Sequence, residues 1–236
     1  MSERSFPRTW CTATLGDLFE QRLGKMLDQA KNQGIPCDYL RNVNVRWYRF
    51  DLSDVAQMRV TEKELSDISV RAGDLVVCEG GEPGRCAVWK DEKRSFVIQK
   101  ALHRLRPRRG ISSDFAAYQI AAEAGAGRLE AAFTGSTIKH FTGESLRAYE
   151  VRLAPTDEQH RIVAALEAYL SRLDAAVETL KRVQANLKRY RASVLKAAVE
   201  GHLVPTEAEL ARAEARDYEP ASVLLDRILE ERRRRW

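Results

Sequence analysis

The clearest pattern of apolar and polar positions lies in the last third of the chain. Ile162, Leu166, Tyr169, Leu173, Ala176, Leu180, Val183, Leu187, Tyr190 and Val194 recur at alternating steps of four and three. That is an a/d heptad seam on one helix. Charged residues occupy most flanking positions, among them Glu167, Arg172, Asp174, Glu178, Lys181, Arg182, Lys188, Arg189 and Arg191. Pro155 ends a strand-like run before the seam, and Thr156 or Asp157 is placed to cap the helix. Neither Pro nor Gly interrupts it before Gly201, which suits a helix C-terminus. About 40 residues at ~1.5 Å each give a rod of roughly 60 Å. Such a rod outreaches any core that the preceding residues offer. The pattern therefore predicts a second long helix as partner, most economically the same helix from another copy. Leu166, Leu173, Leu180, Leu187 and Val194 would form that interface.

Residues 1–155 follow a different grammar of short β-like runs, with most of the glycines. Strands are predicted at Leu75–Cys78, Cys86–Trp89, Ser95–Arg106 and Tyr149–Leu153. Short helices are predicted at Thr61–Leu65, Ser113–Ala124 and Gly143–Arg147. The fold class is α/β (α+β): a β-rich domain over 1–155, then a long α-helix in a spacer over 156–202. A tail over 203–236 carries a helix from Pro220 to about Arg232, with Val223, Leu224, Ile228 and Leu229 on one face.

Composition narrows the class. With 44% hydrophobic and 31% charged residues, the chain is foldable rather than disordered. No apolar run is long enough to span a bilayer, and the start MSERSFPRTW lacks the apolar core of a signal peptide. A cytoplasmic location is expected. Cys11, Cys37, Cys78 and Cys86 form no CxxC pair and the four histidines are scattered, so reduced, partly buried cysteines are expected rather than a zinc site.

The net charge of +5 does not by itself select a partner, but its distribution is uneven. Arg85 to Arg109 holds nine cations against Asp91 and Glu92, a local charge of +7. On a strand, Lys100, Leu102, Arg104 and Arg106 share one side, and Ala101, His103 and Leu105 share the other. One face would present cations to phosphates, together with Arg85 and Lys90. A solubilising strand face is the alternative. RNVNVRWYRF (41–50) mixes Arg, Asn, Trp and Tyr, residue types that read or stack on bases. This makes Arg46 and Trp47 candidates beside the alternative of a core-facing strand.

Catalytic signatures are missing. GGEPGR is not followed by GK[ST], no GxGxxG follows a strand, and Ser136 has no nucleophile elbow. There is no Asp/Asn-Pro-Pro-aromatic tetrapeptide and no acidic cluster with a lysine at nuclease spacing. A binding module fits better than an enzyme. The competing readings are a coiled-coil scaffold without DNA readout, and a small nuclease or methyltransferase fragment.

GDLVVCEGGEPGRCAVW (73–89), QKALHRLRP (99–107), GSTIKHFTGESL (135–146) and VRLAPTDEQHRIVAALE (151–167) occur in an order that resembles type I restriction–modification specificity subunits. The heptad helix and EPASVLLDRILEER are similar to that family too. The resemblance implies a target recognition domain followed by a helical spacer, with no chemistry of its own. It implies double-stranded DNA, a modification methyltransferase subunit and a restriction motor-nuclease subunit as partners. S-adenosylmethionine, ATP and Mg would sit on those subunits, with no cofactor in this chain. Family members usually carry two recognition domains and two spacers. One of each here implies a half-length subunit or one half of a longer chain. A homodimer would restore the pair and read an interrupted palindrome. Beside these motifs, FTGSTIKHFTGESL (133–146) becomes a DNA-facing loop, with Ser136, Thr137 and Lys139 as phosphate contacts and His140 as contact or buried hydrogen-bonder.

Overall fold

The structure, a computed structural model, describes residues 7–28 and 32–236; residues 1–6 of the stretch MSERSFPRTW lie outside them. The elements run β1 (Cys11–Thr14), α1 (Leu15–Leu18), β2 (Phe19–Leu23), β3 (Ile35–Leu40), β4 (Val45–Arg46), β5 (Arg49–Phe50) and β6 (Ala56–Val60). Next come α2 (Glu62–Ile68), β7 (Ser69–Val70), β8 (Leu75–Cys78), β9 (Cys86–Val88), β10 (Phe96–Ile98) and β11 (Leu102–Pro107). Then follow α3 (Ser113–Gly125), α4 (Gly143–Ala148), β12 (Glu150–Leu153), α5 (Thr156–Val199), α6 (Glu207–Ala213) and α7 (Ala221–Arg234). Two compact units divide the chain, 1–168 and 169–236. None of the described helices is long and apolar enough to cross a membrane.

The first unit is built on two four-stranded sheets. One has the order β2-β11-β8-β9 and is antiparallel throughout. The other has the order β6-β3-β10-β7, with β3 and β10 parallel. Strand β8 explains the layering. All four of its residues are buried, and the period-2 alternation sends them into different cores. Leu75 and Val77 join Leu15, Phe19, Ile120, Leu129, Phe141 and Leu146 under α1, α3 and α4. Val76 and Cys78 join Leu40, Val60, Val97, Ile98 and Leu102 between the two sheets. A run of Leu-Val-Val-Cys with no polar position is what a strand covered on both faces requires.

The predicted strand Ser95–Arg106 is corrected to two strands. Residues 96–98 lie in one sheet and 102–107 in the other. Ala101 turns the chain between them at φ 83°. The short helices match their predicted starts because capping residues are local signals. Thr61 and Glu64 form a reciprocal box on α2, Ser112 caps α3, and Thr142 caps α4. The cap expected from Thr156 or Asp157 is corrected. Thr156 is already helical, and its hydroxyl donates to the Gly110 carbonyl at 3.0 Å.

The globular unit continues to residue 168, beyond the expected limit at 155, because the first turns of α5 are bonded into it. Gln159 is fully buried. Its amide accepts from Ser112 N–H at 2.9 Å and donates to the Ala154 carbonyl at 2.8 Å. Trp10 Nε1 donates to Glu158 Oε1 at 3.1 Å. In the second unit, the rest of α5 shows an apolar seam to solvent: Leu173, Leu180 and Leu187 are 60%, 68% and 57% exposed.

Candidate nucleic-acid interface

Three loops meet at one edge of the first unit. The first runs from the end of β3 through Asn42 to the β4–β5 hairpin. The second is the glycine loop 79–85 between β8 and β9. The third is 134–140. Asn42 Nδ2 donates to the Gly80 carbonyl at 2.9 Å, and Arg85 Nη2 donates to the Asn42 carbonyl at 2.8 Å. Trp47 Nε1 donates to Glu82 Oε1 at 2.6 Å, and Arg85 Nη1 donates to Glu82 Oε2 at 2.7 Å. Tyr48 sits at φ 65°, held by its N–H on the Cys86 carbonyl at 3.1 Å and its ring 5.2 Å from Tyr118. The first two loops are therefore cross-tied by side chains as well as backbone.

The third loop docks on the second. Phe141 N–H donates to the Glu79 carbonyl at 2.7 Å, and a Cβ on Gly80 would lie 3.3 Å from the His140 ring. Phe141 is fully buried with Phe133 at 5.7 Å. Thr134 and His140 exchange two backbone hydrogen bonds, of 2.8 and 2.9 Å, which close the loop at its base. Gly135, at φ 93°, takes a backbone conformation that side-chain-bearing residues avoid. Ser136, Thr137, Ile138 and Lys139 are exposed beyond that closure. The turn carrying exposed Lys100 adjoins the same edge, since Glu79 N–H donates to the Ala101 carbonyl at 2.9 Å.

The structure thus brings together Arg46, Trp47, Arg85, Lys100, Ser136, Thr137, Lys139 and His140. Their conditions differ. Arg46, Lys100 and Lys139 are exposed, whereas Arg85 is largely committed to Glu82 and Asn42. Asn42, which ties two loops, was missed by sequence reading; an Asn in a basic-aromatic run gives no sign of which carbonyl it meets. Among the described residues no group of three or more His, Cys, Asp or Glu side chains stands ready to hold a metal ion.

Arg104 and Arg106 lie elsewhere, which corrects the picture of one cationic strand face, and exposed Lys90 is tied to carboxylates. The β11 face carrying Leu102, Arg104 and Arg106 is covered, because the second sheet packs on it. Arg104 is 1% exposed. Its guanidinium reaches Glu20 at 3.1 Å and the Ser69 carbonyl at 3.3 Å. Burial, then the charge of Arg106, pushes its pKa below the ordinary guanidinium value. Arg106 forms a forked pair with buried Asp74, at 2.9 and 2.8 Å. Lys90 lies 3.2 Å from both Asp114 on α3 and Glu167 on α5. Burial works against its charge, but the two carboxylates outweigh it and hold its pKa above the ordinary lysine value. Arg104 and Arg106 are structural, whereas Lys90 keeps an exposed side chain that two carboxylates engage.

Comparisons with known proteins agree with this architecture. No curated protein matches the chain in sequence. A chain from a structural study of complex assembly and conformational transition of the type I R-M system superposes with a TM-score of 0.66 at 19% identity. The match covers 85% of this chain and 48% of that one. The HsdS subunit from Thermoanaerobacter tengcongensis superposes with a TM-score of 0.56 at 21% identity, covering 86% of this chain and 48% of that one. The chain therefore spans about half the length of these structures and shares their fold of a β-sheet domain with a long helix. Residues 7–188 match the sequence model of the type I restriction modification DNA specificity domain, and the chain belongs to that family.

Proposed function

We propose that this chain reads DNA for a type I restriction–modification assembly. It directs adenine methylation and restriction by partner subunits and carries out no chemistry itself. S-adenosylmethionine, ATP and Mg ions act on those partners: a modification methyltransferase and a restriction motor-nuclease. The observation that carries the reading is the convergence of three loops on one edge. Those loops and the adjoining turn carry exposed Arg46, Lys100 and Lys139 and the exposed hydroxyls of Ser136 and Thr137. Cations and hydroxyls on braced loops suit phosphate contacts, which give affinity and register. Base edges beside them supply discrimination of about 1–3 kcal/mol per good contact.

A second recognition unit comes from another copy. The exposed seam of α5 pairs with its counterpart, and two identical units on a two-fold axis read an interrupted palindrome. The test is to co-express the chain with a candidate methyltransferase subunit, purify the complex and map methylated adenines. The expected result is a stable complex that methylates an interrupted palindrome. Failure to capture any methyltransferase, together with no salt-dependent DNA binding, overturns DNA recognition. A non-palindromic bipartite motif overturns only the homodimer.

A further inference from the structure

Ile138 is 66% exposed and belongs to neither hydrophobic core. A single exposed isoleucine is ordinary on a protein surface. Its setting here is not. It lies in the five-residue tip closed by the Thr134–His140 backbone pair, a tip whose geometry depends on Gly135 at φ 93°. Buried Phe141 and the Glu79 carbonyl anchor the base. Ile138 is therefore held out by a braced loop rather than left over by a loose one. Its neighbours Ser136, Thr137 and Lys139 are of the types that bind phosphates. On the DNA-reading function proposed above, with these residues on phosphates, the side chain between them is carried toward the groove that the phosphates border.

We infer that Ile138 is an apolar wedge that leans into the base stack beside the modified adenine. The inference rests on the DNA-reading function proposed above. Apolar side chains on basic loops open base steps by partial unstacking. Chemistry on a base requires that base to leave the stack. Ile138 supplies the contact that stabilises the opened step, while the methyltransferase subunit receives the base.

The experiment uses the complex with the methyltransferase subunit and a duplex carrying the mapped site. 2-Aminopurine replaces the base next to the target adenine. Wild type is expected to raise its fluorescence on binding. Ile138→Ala is expected to lose that rise and to bind about tenfold more weakly, a change of about 1.4 kcal/mol. Its salt slope stays at the wild-type value, because Ile138 neutralises no phosphate. Ile138→Leu is expected to restore both signals. Wild-type fluorescence and affinity in Ile138→Ala overturn the inference. Loss of the methyltransferase subunit from the variant complex also overturns it, by making Ile138 a protein contact. If wild type neither binds nor methylates the duplex, the functional reading fails and the wedge with it.

Discussion

His103 Nε2 stands 3.1 Å from Glu79 Oε2 beneath the three-loop edge, with the imidazole 1% exposed. The separation is short enough for an N–H on Nε2 to face the carboxylate. The tautomer follows from the other side of the ring. Gln21 Nε2 donates to the Gly143 carbonyl at 3.1 Å, so the amine end of Gln21 faces His103 Nδ1 at 3.2 Å. Nδ1 must then accept, and the single proton sits on Nε2 toward Glu79. His103 thus links the strand leading into loop 79–85 to the start of α4, which follows loop 134–140.

A second proton on His103 would meet the Gln21 amine. Burial lowers the pKa of His103 below 6.5, with the Glu79 carboxylate opposing that shift in part. The folded state therefore binds this proton less readily than the unfolded state. The stability it contributes is present above pH 6.5 and lost as pH falls through the lowered value. The depressed carboxylate Glu64 starts from 4.5, so its own loss sets in at lower pH. Urea melts are expected to show declining stability from pH 6.5 toward pH 5, and a flatter profile for His103→Gln. Identical slopes in the two proteins would remove His103 as the cause.

The Asp74–Arg106 pair predicts a stability loss without a change in recognition. Asp74 is 1% exposed and also accepts from Arg71 N–H at 2.8 Å. Asp74→Ala leaves the Arg106 guanidinium unpaired in a mostly covered site, at a cost of about 3 kcal/mol. A lowered melting temperature is expected, with an unchanged methylation motif when the complex is assayed well below that temperature. An altered motif would mean that the pair also shapes the reading edge.

What the sequence disclosed tracks the range of the signal. Capping at Thr61, Ser112 and Thr142 is decided within three residues, and the helices starting there were legible. The a/d seam repeats over ten positions and marked α5 without any tertiary information. The fate of Arg104 depends on a second sheet whose strand β3 lies more than 60 positions earlier. Alternation along β11 showed that Arg104 shares a face with Leu102, but not that this face is covered. In the same way, Lys139 and Arg46 were legible as cations, whereas their meeting at one edge is a property of packing. Loop 41–50 reaches loop 79–85 through Asn42 and Gly80, and no local pattern joins those two positions.

Two glycines predict opposite outcomes. Gly84, at φ 86°, is buried, and a Cβ there would run into the Leu129 side chain in the core. Gly84→Ala combines backbone strain of about 1–3 kcal/mol with overpacking, so the melting temperature falls. Gly135 is exposed, and its Cβ would strike the Ile138 carbonyl within its own loop. Gly135→Ala reshapes the tip alone. The expected result is weak DNA binding by a domain that melts near the wild-type temperature. Equal melting losses in the two variants would show that the 134–140 loop is part of the core.

Lys139 and Lys100 are exposed and lie at the edge, whereas Lys90 is paired with two carboxylates. Each phosphate contact contributes about 0.9 to the slope of log affinity against log salt. Lys139→Ala and Lys100→Ala are each expected to lower that slope by about one unit and to weaken binding to every sequence alike. Lys90→Ala is expected to leave it unchanged. A slope reduced by Lys90→Ala and not by Lys139→Ala would overturn the assignment of a phosphate contact to Lys139.

The seam on α5 sets the last prediction. Tyr169, Leu173, Leu180 and Tyr190 are all at least 60% exposed, and they recur with the heptad period. Burying a leucine side chain contributes about 1.5–3 kcal/mol. Leu173→Asn with Leu180→Asn removes four such leucines from a two-fold pair of helices. Even at half the full burial, the loss is about 3 kcal/mol or more. The dimer dissociation constant then rises by at least about a hundredfold. Sedimentation equilibrium is expected to show a wild-type dimer at micromolar concentration and a monomeric double variant. Lys188→Ala, on a flank of the seam, should leave the dimer intact. The proposed DNA contacts lie on the first unit and include none of these leucines. The double variant should therefore keep its salt-dependent DNA binding while losing the affinity gained by engaging two half-sites at once. A wild-type chain that stays monomeric at tens of micromolar would leave the seam to another partner.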